Sequence, residues 1–332
     1  MAIANLPSNV PSVMLKEVLT RAQAYKRISY VFNKIKMGVN TGASAILTRF
    51  INAAVTTTPE TEGQNPVTQA PQTESFTATI RRYSAAFATS TYNATVNPID
   101  WAKQMAGLLY TQIDMVRERV RWNAAISGTN VIYNSPAITQ TSDVNGVLTL
   151  GRLQKAGRSI SNAKGQTFTS ESMGSNREGT APNEAGFIVL CHTDAEDGIR
   201  NLPNFRPRAA MTGANYPMGT FGCVDNFVFL TSPEFVPDLG AGAATTTLNA
   251  TGGNADVYSF VVCAKDAFTE VDLAGAERGG FGNAKVNVLD KADKSDPTNA
   301  RLIVSAAWYD EALPTSDDWS VRIECGVIAN PA

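Results

Sequence analysis

The sequence predicts an α+β protein in which one very long helix stands between groups of strands. Three observations carry this. Apolar residues recur at steps of three and four for about thirty residues, from Asn97 to Gly128. Alternating or continuous apolar runs, the signature of strands, flank that segment on both sides. A polar stretch, TTTPETEGQNPVTQAPQTES from Thr56 to Ser75, separates two of those runs.

From the amino terminus, Ser12 to Lys36 predicts an amphipathic helix. Leu15, Val18, Leu19, Ala22, Tyr25, Ile28, Val31 and Ile35 form its apolar stripe, with Ser12 as the cap and Gly38 as the stop. ASAILTRFINAAV from Ala43 is extended. SFTATIRRYSAAFATS from Ser75 is extended too, because Phe76, Ala78 and Ile80 alternate with Thr77, Thr79 and Arg81. The polar stretch is then the tip of a long hairpin. Structureless loops beyond ~12–15 residues are uncommon in compact domains and usually functional or disordered. A limb of about twenty extended residues spans ~65 Å, against a radius of gyration of ~20 Å for a compact chain of this length. Such an arm folds back or reaches a neighbour, and a lone hairpin in water is marginal.

The long helix opens with Asn97 as cap and Pro98 at the first position, where a missing donor does no harm. Ile99, Ala102, Met105, Ala106, Leu109, Ile113, Val116 and Val120 form its stripe. Its length is ~45 Å at 1.5 Å per residue. Asp114, Arg117, Glu118 and Arg121 are spaced to pair along its outer face. LTLGRLQKAGRSISNAKG from Leu148 and HTDAEDGIRNL from His192 predict helices. GFIVLC, NFVFLTS, VYSFVVCA, AKVNVLD, ARLIVSAAWYD and WSVRIECGVIA predict strands.

Composition bounds the function. The chain has 332 residues, enough for one large irregular domain or two subdomains. Charged residues make up 17%, below the ~25% usual in soluble domains. A lightly charged surface suits a protein in contact with copies of itself, and equally suits Thr- and Asn-rich loops. The net charge is -2, but the first fifty residues hold Lys16, Arg21, Lys26, Arg27, Lys34, Lys36 and Arg49 against Glu17 alone. A basic arm fits nucleic acid, an acidic partner, or a solvated helix face. Cys191, Cys223, Cys263 and Cys325 lie far apart with no C-x-x-C, and read as buried free thiols of a cytoplasmic protein. No apolar signal core opens the chain, and no run approaches the ~18 apolar residues of a membrane span.

Catalytic constellations are sparse. His192 is the only histidine and lies beside Asp194, Glu196 and Asp197. It could serve as a base oriented by a carboxylate, but its place between a buried strand and a helix also fits a structural role. No His/Cys cluster has zinc spacing. Asp290 to Asp296, DKADKSD, could attract a hard cation, but two lysines interrupt it and a solvated loop accounts for it. GAGAAT from Gly240 and GGFGNAK from Gly279 lack nucleotide-binding spacing. No catalytic residue, cofactor or metal ligand is expected.

Several stretches together resemble the major capsid proteins of tailed phages with the HK97 fold, and within them the N4-like podovirus group. LTRAQAYKRISYVFNKI resembles the amino-terminal arm helix. TPETEGQNP, Thr58 to Pro66, resembles the family's T-P-L-T-E-G-x-x-P loop, with Glu60 where Leu is usual. GTNVIY, Gly128 to Tyr133, closes the long helix as in that family. SDPTNARLIVSAAWYDEALPTSDDWSVRIECG resembles its closing strands. The resemblance runs from Leu15 to about Asn330.

It implies a non-catalytic protein that self-assembles through pentamers and hexamers into an icosahedral shell around double-stranded DNA. Scaffolding, portal and decoration proteins are possible partners, no membrane is involved, and the location is the virion after assembly in the host cytoplasm. It also implies an arm at 1–40, an extended E-loop at 41–95, a P-domain spine helix at 96–133, an A-domain with part of the P-domain at 134–285, and closing P-domain strands at 286–332. Glu60, Thr61, Glu62, Gly63, Pro66, Arg81 and Arg82 are then expected to meet an adjacent subunit. Lys16, Lys26, Arg27, Lys34 and Lys36 are expected to meet DNA, a scaffold or a neighbour. Some proteins of this fold weld their subunits through an E-loop lysine. Here no lysine lies between Lys36 and Lys103, so a non-covalent shell is expected. Met1 leading straight into the arm argues against a removed propeptide. Two alternatives stand: an encapsulin-like compartment shell of the same fold, and a soluble enzyme using His192.

Overall fold

The computed structural model describes residues 27–38, 42–53, 68–90, 92, 96, 100–168, 186–211, 216–217, 219–273, 285–292 and 300–329, with the backbone alone at 285–292 and 300. The chain divides into two compact units. The smaller includes Arg82–Asp114 and Ala276–Trp308, and the larger comprises Tyr25–Arg81, Met115–Gly275 and Tyr309–Ala332. Helix α1 is Trp101–Ile126 and strand β15 is Ala300–Pro314. Each contributes one part to each unit.

The larger unit is built on a seven-stranded mixed sheet. Its strands are β5 (Val131–Tyr133), β6 (Phe187–Cys191), β7 (Phe205–Pro207), β8 (Thr220–Val224), β9 (Phe227–Thr231), β12 (Tyr258–Cys263) and β16 (Ser320–Cys325), in the order β5-β16-β12-β6-β9-β8-β7. The β6–β9 and β5–β16 pairs are parallel, and the others are antiparallel. The central strands FIVLC, FVFLT and YSFVVC are buried at every position. Unbroken apolar runs of this kind mark strands covered on both faces.

Strand alternation sorts these residues into two cores. Phe187, Val189, Phe229, Phe260, Val262, Val321 and Ile323 face α2 (Leu150–Asn162), which contributes Leu153, Ala156 and Ile160. Gly157 stands at the closest approach, where an added Cβ would meet the Phe227 ring at 2.7 Å. Ile188, Leu190, Leu230, Val261 and Cys263 face the other way, toward Trp122, Ala124 and Ala125 of α1 and toward Ile28, Val31 and Phe32. Trp122 and Phe235 stack at 4.5 Å between ring centroids.

A second group of strands lies in the same unit. β1 (Phe32–Met37) runs parallel to β13 (Phe268–Leu273), and β13 runs antiparallel to the Asp310–Pro314 end of β15. β2 (Ser44–Ile51) and β3 (Gln72–Thr79) form a two-stranded antiparallel hairpin, with Ser44 opposite Thr79 and Ile51 opposite Gln72. Asn249 and its neighbours carry a short ribbon, β10 (Ala250–Thr251) with β11 (Asn254–Ala255). In the smaller unit, β4 (Arg81–Ser90) and β14 (Lys285–Ala292) pair with β15, Lys285 opposite Ala307 and Ala292 opposite Ala300. Tyr83 stacks on Trp308 at 6.0 Å. Met105, Leu109 and Ile113 of α1 are buried, as the helical stripe requires.

Two expectations need correction. The helix expected over Ser12–Lys36 does not continue through its described end. Ile28–Tyr30 is a single 3-10 turn, and Phe32–Met37 is a strand. The apolar spacing in VFNKIKM satisfies both periods over so short a run, and pairing with β13 decides it. Residues 12–26 lie outside the described residues. The charges on α1 are not an outer face either. Glu118 is fully buried, Arg121 is 7% exposed, and Arg121 reaches Glu270 of β13. This part of α1 is covered on two sides, by the apolar core and by the acidic strand β13.

Candidate assembly interface

The hairpin has two unlike faces. Leu47 and Ala45 join Met37, Ala78, Val271, Ile80 and Leu313 in a small apolar cluster at its base. Farther out on that face, Arg49 holds Glu74 in a two-nitrogen contact of 2.8 and 3.1 Å, and its guanidinium lies 5.3 Å from the Trp319 ring centre. The opposite face carries Ser44, Ile46, Thr48 and Phe50 beside Thr79, Thr77, Ser75 and Thr73. All eight are exposed, Ile46 at 71% and Phe50 at 74%. Cross-strand Ser44–Thr79 and Thr48–Ser75 hydroxyl contacts at 3.4 and 3.3 Å order this face without covering it. Two large apolar side chains on a regular, threonine-rich sheet face form a surface suited to burial against another chain.

The expected contact residues Glu60, Thr61, Glu62, Gly63 and Pro66 lie outside the described residues. Arg81 is 72% exposed and pairs with Glu311 at 3.3 Å, and Arg82 is exposed. Burial raises the Glu311 carboxyl above its usual range, and the Arg81 charge partly opposes that.

Lys16 and Lys26 also lie outside the described residues. Lys34 and Lys36 are exposed on β1. Arg27 is half-buried, and its guanidinium donates to the Thr231 carbonyl oxygen. Its backbone N–H and that of Ile28 each donate to Glu118 Oε1 at 2.8 Å. Sequence reasoning missed this junction, in which the buried Glu118 fastens the chain at residues 27–28 to α1. Burial raises the Glu118 carboxyl, while the two amide donors and the Arg121 charge act against that.

His192 has a structural post. Its Nδ1 accepts the Asp194 N–H at 3.1 Å and caps the turn Thr193–Ala195, ahead of α3 (Glu196–Arg200). Asp194 Oδ2 accepts from the Tyr258 hydroxyl at 2.9 Å and lies 3.3 Å from the same His192 Nδ1. All four cysteines are buried and free, as expected. Burial pushes the thiols of Cys191, Cys263 and Cys325 far above their ordinary value.

The architecture matches phage capsid structures along its whole length. The chain is similar to a subunit of the cyanophage Pam1 capsid, with a TM-score of 0.65 at 10% identity over 99% of this chain and 100% of that one. The Ralstonia phage GP4 capsid gives a TM-score of 0.62 at 10% identity, covering 100% of both chains. The head of Helicobacter pylori bacteriophage KHP40 gives 0.61 at 10% identity over 97% and 96%. No protein-family model and no curated protein matches the chain. The fold is the HK97-type capsid fold that the sequence motifs resemble.

Proposed function

We propose that this protein is a phage major capsid protein that assembles with its own copies, through pentamers and hexamers, into an icosahedral shell around the double-stranded DNA genome. The observation that carries the reading is the full-length match to phage capsid subunits. The uncovered outer face of the hairpin supports it independently, because an isolated soluble subunit has no use for Ile46 and Phe50 in water.

In this reading 1–40 is the arm, 41–95 the E-loop, 96–133 the spine helix of the P-domain, 134–285 the A-domain with part of the P-domain, and 286–332 the closing strands. The E-loop tip, from Glu60 to Pro66, lies across an adjacent subunit, with Arg81 and Arg82 at the hairpin's root. Lys16, Lys26, Lys34 and Lys36 supply positive charge toward DNA, a scaffold or a neighbour, whereas Arg27 is spent on the Thr231 carbonyl. The TEGQNP motif favours the N4-like podovirus group. The protein works in the virion, after assembly in the host cytoplasm, where scaffolding, portal and decoration proteins would join it. It needs no catalytic residue.

Negative-stain microscopy of the purified protein tests the reading, combined with nuclease treatment of infected-cell particles. Closed shells holding nuclease-protected DNA support it. A monodisperse soluble monomer contradicts it, and shells enclosing protein cargo in place of DNA point to a compartment.

A further inference from the structure

Three arginines gather at one edge of the seven-stranded sheet. From Gly198 to Val224 the sequence holds Arg200, Arg206 and Arg208 and no Lys, Asp or Glu. Arg200 ends α3, Arg206 lies in β7, and Arg208 follows that strand. β7 is the last strand on its side of the sheet, and it pairs with β8 alone.

Aromatic rings hold two of the three. The Arg200 guanidinium lies 4.7 Å from the Phe221 ring centre, and that ring packs on Phe205 at 5.4 Å. Phe205 and Phe221 lean on the core that contains Val224, Phe227 and Phe229. The Arg208 guanidinium lies 4.7 Å from the Tyr216 ring centre, and Tyr216 packs on Met211, Cys223 and Val228. Cys223 and Val224 alternate along β8, so the two stacked guanidiniums flank the sheet edge, one on each face. Such stacking fixes the plane of a guanidinium and leaves its N–H groups at the rim. Neither guanidinium makes a hydrogen bond or ion pair among the described residues. Asp225, between β8 and β9, accepts from the Asn204 and Gln154 side-chain amides rather than from these two arginines.

Pro207 removes a donor from this short edge strand, which discourages pairing with a strand of another chain. None of the exposed large apolar side chains among the described residues lies in 198–224, unlike the hairpin face with Ile46 and Phe50. A protein interface normally needs such an anchor at its centre. A phosphate-backbone contact needs guanidiniums and polar side chains, and Asn201 and Asn204 are exposed beside the arginines. Side chains on the two faces of one sheet stand ~10 Å apart, on the scale of the ~6–12 Å grooves between the phosphate rows of a duplex. We propose that the β7 edge, through Arg200 and Arg208, binds the phosphate backbone of double-stranded DNA without reading its sequence. The site rests on the proposed shell around such DNA and adds a contact remote in sequence from the basic arm.

The test uses dissociated subunits of the full chain and a fluorescent random-sequence duplex of about 30 base pairs. Anisotropy is read from about 50 to 200 mM salt. Arg200→Gln with Arg208→Gln keeps the stems over the rings and removes both charges. The unfolding temperature should hold. The plot of log affinity against log salt should flatten by about 1.8, with affinity about 10–100-fold lower at ~50 mM salt. Should the double variant not fold, Arg200→Gln alone, at the exposed end of α3, replaces it with an expected change of about 0.9. Unchanged slope and affinity in the folded variant overturn the proposal. Loss of poly-glutamate binding with DNA binding intact also overturns it, in favour of an acidic protein partner. A wild-type protein that forms no shells yet shows the arginine-dependent slope contradicts the capsid reading and supports this site.

Discussion

Replacing Ile46 and Phe50 together by serine separates folding from assembly. At 71% and 74% exposure, these side chains bury only about a quarter of their surface in the subunit. Full burial of such a side chain contributes about 1.5–3 kcal/mol, so the isolated subunit should lose less than ~1–2 kcal/mol from both changes. Phe229→Ala at the centre of the seven-stranded sheet should cost ~3–5 kcal/mol by comparison. If a neighbouring copy covers the hairpin face, the double variant forfeits a further ~2–4 kcal/mol at each contact. Repeated through a shell of many weak contacts, that loss should abolish closed particles. Denaturant unfolding of dissociated subunits measures the first quantity, and sedimentation with microscopy measures the second. Wild-type shell yield from the double variant would refute the interface. Subunit destabilisation near that of Phe229→Ala would refute the exposed placement of the two side chains.

Deleting Glu60–Ala70 should leave a folded subunit, because the excised stretch is polar and the Ile51–Gln72 pairing remains. Microscopy should find open sheets or no particles. Charge reversal at the exposed Lys34 should weaken packaging or assembly, with an effect that fades as salt rises. Arg27→Ala should instead destabilise the subunit by ~1.5–3 kcal/mol, since it breaks a charged hydrogen bond to the Thr231 carbonyl. Particles boiled in detergent without reductant should give a single monomer band. The hairpin offers no lysine amine, and the four cysteines are buried free thiols. A ladder of covalent oligomers would show that another residue supplies a cross-link.

Elements with a long or unambiguous period were legible in the sequence. The stripe on α1, the unbroken runs FIVLC and FVFLT, and the alternation of SFTAT each admit one reading, and the structure has it. FNKIKM did not, because six residues satisfy helical and strand spacing alike and only the parallel pairing with β13 distinguishes them. FTEVDL has charged residues at alternate positions and no apolar run to mark it as a strand. Its Glu270 is buried by Arg121, 149 residues away in sequence, and no local pattern announces a partner at that distance. The same separation hid Glu118, whose partners at Arg27 and Ile28 lie about ninety residues upstream. One signal was available. Alternation through VSAAWYDEA from Val304 to Ala312 already places Asp310 on the apolar face of β15. Of the interface, the hairpin limbs could be read from alternation. The exposure of Ile46 and Phe50 could not, because which face of a two-stranded sheet meets the body depends on the remote residues Met37, Val271 and Leu313.

In the proposed function this chain builds a shell from copies of itself. Cryo-electron microscopy of purified particles, at a resolution that traces the backbone, tests it most directly. The expected result is a closed icosahedral shell whose subunits have this fold, with the Ile46–Phe50 face of each hairpin buried against a neighbouring copy. Particles in which that face points to solvent, or a preparation containing only dispersed monomers, would contradict it.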